Sequence, residues 1–176
     1  LVEAHKGSIS ADSPGVGQGA TFTVKLPLLD MQPEVNHEQG FSTTEPDLIG
    51  IRILTIDDEP DTCELLTVLF TQYGAEVMSV TSSTEALLAF EWFKPDILVS
   101  DIGMPNIDGY TLLQQIRSLP AEKGGSIPAI ALTAYAREID QKRALAVGFQ
   151  KYITKPMELN QLPKAVLVLL RGIEPI

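Results

Sequence analysis

Asp57, Asp58, Asp101, Thr133 and Lys155 are the residues of this chain whose types and spacing could do chemistry together. Each closes a short apolar run. Ile51-Arg52-Ile53-Leu54-Thr55-Ile56 ends in Asp57-Asp58-Glu59, and Ile97-Leu98-Val99-Ser100 ends in Asp101. Ile127-Pro128-Ala129-Ile130-Ala131-Leu132 ends in Thr133, and Phe149 to Ile153 runs into Thr154-Lys155-Pro156. Such runs suit central parallel strands covered on both faces. In open α/β sheets, ligands bind beyond the carboxyl ends of the strands. Three carboxylates gathered there repel one another unless one holds a proton or a cation neutralises them. All are oxygen donors, which favours a hard divalent ion, and Mg²⁺ with retained waters fits best. Lys155 adds a fixed positive charge and Thr133 a hydroxyl donor. The set suits a phosphoryl group, and Asp101 is the natural nucleophile, since a carboxylate can accept phosphoryl as an acyl phosphate.

Five strands and five helices must position these residues. From Ile51 onward the apolar pattern alternates strand and helix. The first helix is expected to open near Asp61 with Glu64 as capping-box partner. It should carry Leu65, Leu66, Leu69 and Phe70 inward and end at Gly74. Strand two is Ala75–Val80. Ser82 and Glu85 should open helix two, which buries Ala86, Leu87 and Phe90, with Trp92 in the core or at its rim. Asp108 should cap helix three, through Leu112, Leu113 and Ile116. A loop with Pro120 and Gly124-Gly125 leads to strand four. Helix four, 136–147, is the most polar and stops at Gly148. Helix five carries Leu159, Leu162, Val166 and Leu169; Pro163 fits only its first turn, so Asn160 is the expected cap. Alternating β and α with short links gives a doubly wound parallel sheet, an α/β flavodoxin-like (βα)5 fold with strand order 2-1-3-4-5. That order puts the switch point beside strands one and three, where Asp57, Asp58 and Asp101 would converge.

Composition narrows the function. A net charge of −10 with no basic cluster argues against nucleic-acid binding. Cys63 is the single cysteine, so no internal disulfide forms, and it reads as a packed residue of helix one. No apolar run is long enough to span a bilayer and no secretory signal is visible. The expectation is a cytoplasmic segment without membrane contact, whatever anchors the parent protein. The chain begins at Leu1 in the middle of what reads as a structural element, so a fragment of a longer protein is expected.

The first stretch, 1–29, differs from the rest. Leu1 to His5 reads as a last helical turn capped at Gly7, and Thr21-Phe22-Thr23-Val24-Lys25-Leu26 alternates like a strand. Gly17-Gln18-Gly19-Ala20-Thr21-Phe22 followed by Leu26-Pro27 resembles the carboxyl-terminal end of a sensor histidine kinase ATP-binding domain. Lys6 and Ala20 depart from that pattern, and the family's nucleotide pocket is absent. A short β-hairpin that binds no ATP is expected. Residues 30–50, with Pro33, Pro46 and Ser42-Thr43-Thr44, read as linker, and His37 within it as a solvated side chain. Residues 51–172 form the main domain and 173–176 a tail.

That domain resembles a response-regulator receiver. The motifs are Asp57-Asp58, Asp101 with Met104-Pro105 and Asp108-Gly109, Thr133-Ala134, and Lys155-Pro156. The resemblance implies that Asp101 is phosphorylated by a phosphohistidine donor. It implies that Asp58, Asp101 and the Gly103 carbonyl ligate Mg²⁺ directly, with Asp57 acting mainly through water. Thr133 and Lys155 would hold phosphoryl oxygens, Ala134 would leave room for them, and Lys155-Pro156 would be cis. Thr133 would move toward the phosphate and Tyr152 would turn inward, reshaping the face of helix four, strand five and helix five. Gly103 and Tyr135 lie at family positions that bear on phosphate lifetime.

Singly, each residue has an ordinary reading: a cap for Asp57 or Asp58, a turn hydroxyl for Thr133, any ion pair for Lys155, plain packing for Tyr152. Chance would not set all five on one edge. The implied protein is part of a hybrid sensor histidine kinase, whose parent would be the kinase while the receiver catalyses its own phosphorylation and dephosphorylation. Its partners would be a histidine kinase or histidine phosphotransfer domain and a downstream phosphotransfer protein; homodimerisation is left open. The rival is a pseudoreceiver, a phosphorylation-independent protein-binding module of the same fold.

Overall fold

The computed structural model describes residues 7–15, 17–25, 27, 46–134 and 137–171. The expected turn at Leu1 to His5, Lys6, Leu26, His37 and Tyr135 lie outside the described residues. The chain divides into two units, Leu1–Ser42 and Thr43–Ile176. In the first, β1 (Ser8–Asp12) pairs antiparallel with β2 (Thr21–Lys25), with Ile9 opposite Val24 and Ala11 opposite Phe22. This is the expected hairpin.

The second unit is built on five parallel strands, β3 (Arg52–Ile56), β4 (Glu76–Val80), β5 (Ile97–Asp101), β6 (Ala129–Thr133) and β7 (Lys151–Thr154). Their order is β4-β3-β5-β6-β7, the doubly wound order expected. Period-two alternation splits the core into two layers. Ile53, Ile97, Val99, Ile130 and Leu132 face α1 (Pro60–Gln72) and α5 (Gln161–Arg171), packing with Leu66, Phe70, Leu162 and Val166. Leu54, Ile56, Leu98, Ala129 and Ala131 face α2 (Ser83–Phe93), α3 (Gly109–Arg117) and α4 (Glu138–Val147). Both faces being covered, the central strands are mostly apolar up to their carboxyl ends, and every residue of β5 and β6 is buried.

Local signals place the helix starts. Ser82 accepts from the Glu85 N–H, while the Glu85 carboxylate accepts from the Thr81 N–H, a capping box displaced by one residue. Asp108 Oδ1 accepts from the Thr111 N–H at 2.7 Å, as expected. Helix α1 opens at Pro60, next to the expected Asp61, but its cap residue is Glu59 and no side chain bonds there, so the expected capping box with Glu64 does not form; proline preorganises the first helical position instead. Two inward assignments are corrected as well. Leu65 is 43% exposed, and the inward residue is Cys63, one turn before the buried Leu66. Trp92 is 65% exposed, standing edge-on to the buried Phe93. Helix α5 begins directly after Asn160 with Pro163 in its first turn, so Leu159, expected on its apolar stripe, precedes the helix and is exposed.

Leu48 lies in the stretch that reads as linker, yet it is fully buried among the residues under α1. Its N–H donates to the Tyr73 carbonyl at 2.8 Å, and its own carbonyl accepts from the Ile51 N–H at 3.0 Å.

Candidate functional site

The carboxyl ends of β3, β5, β6 and β7 bring the expected residues to one edge. Asp57 directly follows β3 and is fully buried; Asp101 is the last residue of β5 and is buried. Asp58 is exposed at the rim. One carboxylate oxygen from each of Asp57, Asp58 and Asp101 lies within 4.8 Å of the others. The two inner acids are held alike. Asp57 Oδ1 accepts from the Glu59 N–H at 3.1 Å, and Asp101 Oδ1 accepts from the Gly103 N–H at 3.0 Å. Each thereby turns its own loop two residues on. Their other oxygens converge on one cation: Lys155 Nζ donates to Asp57 Oδ2 at 2.6 Å and to Asp101 Oδ2 at 3.0 Å.

Lys155 reaches this point from the turn after β7. Its N–H donates to the Thr133 carbonyl at 2.7 Å, and the Lys155-Pro156 bond is cis. Thr133 ends β6 and is buried, Ala134 after it is exposed, and Gly103 is exposed beside Asp101. Tyr152, on β7, is half-buried and packs against the layer under α2, α3 and α4. Pro105 is exposed in the turn between β5 and α3.

Three acids face one ammonium, so the cluster carries excess negative charge. Burial pushes the Asp57 carboxyl above the usual carboxylate range, against the Lys155 and Glu59 donors that favour its charged form. Burial disfavours the Lys155 ammonium, but its hydrogen bonds to Asp57 and Asp101 outweigh this and raise it above its ordinary value. The donor set is all oxygen, partly solvent-facing and under-neutralised. Those are the properties a hard divalent cation satisfies, so the residues fit Mg²⁺.

Three contributors escape a reading of residue types. Gly109 packs so closely under β5 that a Cβ there would lie 2.3 Å from the Asp101 carbonyl oxygen. The Asp108-Gly109 turn signal marks the place but not the contact. Cys63 Sγ donates to the Asp57 carbonyl at 3.2 Å and to the Val80 carbonyl at 3.4 Å, and burial pushes its thiol up. Ser83 Oγ donates to the Ile107 carbonyl at 2.8 Å, tying α2 to the loop that follows Asp101.

Among the described residues no helix is long and apolar enough to cross a membrane.

The response regulator receiver domain model matches residues 53–167. An uncharacterized 14.6 kDa protein in the sodA1 3′ region of Leptolyngbya boryana is 46% identical over 119 residues, covering 68% of this chain and 89% of that protein. The sensor protein EvgS of Escherichia coli O157:H7 is 29% identical over 163 residues, covering 92% of this chain. The chain spans 13% of the length of EvgS. Among solved structures, the signal receiver domain of a signal transduction histidine kinase from Syntrophus aciditrophicus superposes with a TM-score of 0.62 at 31% identity, covering 71% of this chain and 93% of that one. From the five-stranded order, the acid cluster and the 53–167 match together, the chain belongs to the response regulator receiver domain family of two-component signalling.

Proposed function

We propose that this receiver is a phosphoacceptor, with Asp101 taking a phosphoryl group from a phosphohistidine. The observation that carries the reading is the shared ammonium: Lys155 bonds Asp101 Oδ2 and Asp57 Oδ2 beside a third carboxylate, Asp58. An Asp101 carboxylate oxygen forms a bond to phosphorus as the N–P bond of the donor breaks, and the imidazole leaves with that electron pair. Lys155 turns from the carboxylate to an incoming phosphoryl oxygen, and the Thr133 hydroxyl donates to another. Asp58, Asp101 and the Gly103 carbonyl would hold Mg²⁺, with Asp57 acting mainly through water, and the ion would neutralise charge on the transferring group. The exposed Ala134 and Gly103 keep the approach open.

Pro105 and the cis Pro156 shape the two turns that flank the acids. Thr133 moves toward the phosphoryl group, and Tyr152 follows into the space beside it. The face formed by α4, β7 and α5 then presents a different surface to a partner. Similarity to EvgS over 92% of the chain, more than the receiver alone, supports a hybrid kinase parent. In that parent 1–29 ends an ATP-binding domain, 30–50 joins it to a receiver at 51–172, and 173–176 is a tail. Its partners are a histidine kinase or histidine phosphotransfer domain as donor and a downstream phosphotransfer protein. The reading puts the receiver in the cytoplasm, where such donors are charged from ATP.

Incubation with acetyl phosphate, with and without Mg²⁺, tests the reading on the native chain and on Asp101→Asn. Intact-mass gain of one phosphoryl group that needs Mg²⁺ and is lost in the variant is expected. No gain under any condition would overturn the reading in favour of a phosphorylation-independent binding module.

A further inference from the structure

Helix α4 is held to the domain differently from its neighbours. Of its residues Glu138–Val147, Ala144 alone is buried, and Ile139 and Leu145 are 72% and 49% exposed. Helix α3, beside it, buries Gly109, Tyr110, Leu112, Leu113 and Ile116. With no apolar stripe of its own, α4 cannot be kept in place by area burial alone. Its directed contacts with α3 instead lie at two separate points.

Near the N-terminal end, the buried Tyr110 of α3 donates its hydroxyl to the Asp140 carbonyl at 3.3 Å. The Arg143 guanidinium lies over the same ring, 4.1 Å from its centroid. At the C-terminal end, the half-buried Arg117 donates Nη2 to the Gly148 carbonyl at 2.8 Å and Nη1 to the Gly125 carbonyl at 2.9 Å. Gly148, which caps α4 at φ +109°, comes so near that a Cβ there would lie 3.0 Å from Arg117 Nε.

The two ends differ in kind. A guanidinium bonding two carbonyls through its rigid fork is a fixed joint, made of charge-assisted hydrogen bonds. The Tyr110 contact combines one long neutral hydrogen bond with a cation–π contact from an exposed arginine, each weak. A helix with one strong end, one weak end and little buried surface opens locally from the weak end.

We propose that α4 is a hinged element, pinned at its C-terminal end by Arg117 and latched at its N-terminal end by Tyr110 and Arg143, and that it opens latch first. Tyr110 directly follows Gly109, which packs on the Asp101 backbone. The latch therefore joins the support of Asp101 to the exposed surface of α4.

Residue-resolved amide hydrogen exchange on the full, unphosphorylated chain tests this without metal or donor. Arg143→Gln removes the cation and keeps helix propensity; Tyr110→Phe removes the hydroxyl and keeps the ring. Their double variant should speed exchange at Gln141–Arg143 roughly three- to tenfold, with α1 and α5 unchanged. Arg117→Lys keeps the charge but loses the fork, and should speed exchange across the whole of α4. A change below about twofold at Gln141–Arg143 in the double variant would overturn the latch. So would an equal rise in every helix, which reports global destabilisation. Because no phosphoryl group enters the experiment, its failure leaves the phosphoacceptor reading standing.

Discussion

Gly109 and Asp101 are in backbone contact: a Cβ on Gly109 would lie 2.3 Å from the Asp101 carbonyl oxygen and 2.9 Å from the Ile102 Cα. The Gly109 N–H also donates to the Ile102 carbonyl at 3.1 Å. The start of α3 is thus seated directly on the strand end that carries Asp101, the proposed phosphoacceptor, and both obstructing atoms are backbone. Gly109→Ala must push α3 off β5 or shift Asp101. Overpacking of this kind costs about 1–3 kcal/mol. Urea unfolding should show that loss, and the rate of phosphorylation by acetyl phosphate should fall. Unchanged stability and rate would show that the contact relaxes freely.

The sheet and its acid edge were legible because strand-end residues are dictated by a short pattern: an apolar run, then a polar residue that packing does not explain. Asp57, Asp101, Thr133 and Lys155 all obey it. What escaped depends on which face of a helix turns inward. In α1, the runs Leu65-Leu66 and Val68-Leu69-Phe70 offer two adjacent faces, and only the sheet decides that Leu66 and Phe70 enter while Leu65 and Val68 do not. Trp92 beside Phe93 poses the same choice on α2, and the smaller ring is the buried one. The contact of Gly109 with Asp101, and that of Cys63 with the Asp57 carbonyl, join residues whose types carry no hint of each other.

Lys155 neutralises part of the acid cluster through Asp57 and Asp101. Lys155→Met leaves both inner carboxylates without their cation, an uncompensated charge that costs about 3 kcal/mol when buried. Without metal the variant should unfold at lower urea. The same substitution deepens the negative potential, so divalent binding measured by calorimetry should tighten roughly tenfold, the change expected from about 1.4 kcal/mol of added attraction. Phosphoryl uptake should fall despite the tighter metal, because an oxygen of the transferring group loses its ammonium. Weaker metal binding in Lys155→Met would show that Lys155 organises the acids more than it competes with a cation.

Asp57 gives the metal-free protein a pH dependence with a definite sign. Burial raises its carboxyl in the folded chain, against the opposing Lys155 and Glu59 contacts. Over the window from about pH 4, where an unfolded carboxyl titrates, up to that raised value, the folded form binds the proton and the unfolded form has lost it. Stability contributed by this group therefore declines as pH rises through the window and stays low above it. In chelator, unfolding free energy followed over that range should decline less in Asp57→Asn than in the native chain. Mg²⁺ at one hundred times its dissociation constant should restore about 2.7 kcal/mol at neutral pH in the native chain. The asparagine variant should gain less at the same metal concentration. An identical pH slope in the two proteins would remove Asp57 from the account.

Leu48 tests where the receiver body begins. Pattern alone puts the first strand at Ile51, because Asp47-Leu48-Ile49-Gly50 shows no helical or strand period. Yet Leu48 is fully buried against the layer under α1, and its N–H bonds the carbonyl of Tyr73, the residue that closes that helix. Ile49 beside it is exposed, and its N–H is held by Asp47 Oδ1 at 3.0 Å. The segment is a plug: one apolar side chain goes in, and its backbone is tied to the end of α1. Leu48→Ala should cost about 2–5 kcal/mol, the range for emptying a buried leucine site. Ile49→Ala, at an exposed position, should stay within about 0.5 kcal/mol. A chain starting at Ile51 should lose at least as much stability as Leu48→Ala, since it forfeits both the side chain and the bond to Tyr73. Equal unfolding midpoints for the truncated and full chains would return residues 46–50 to the linker.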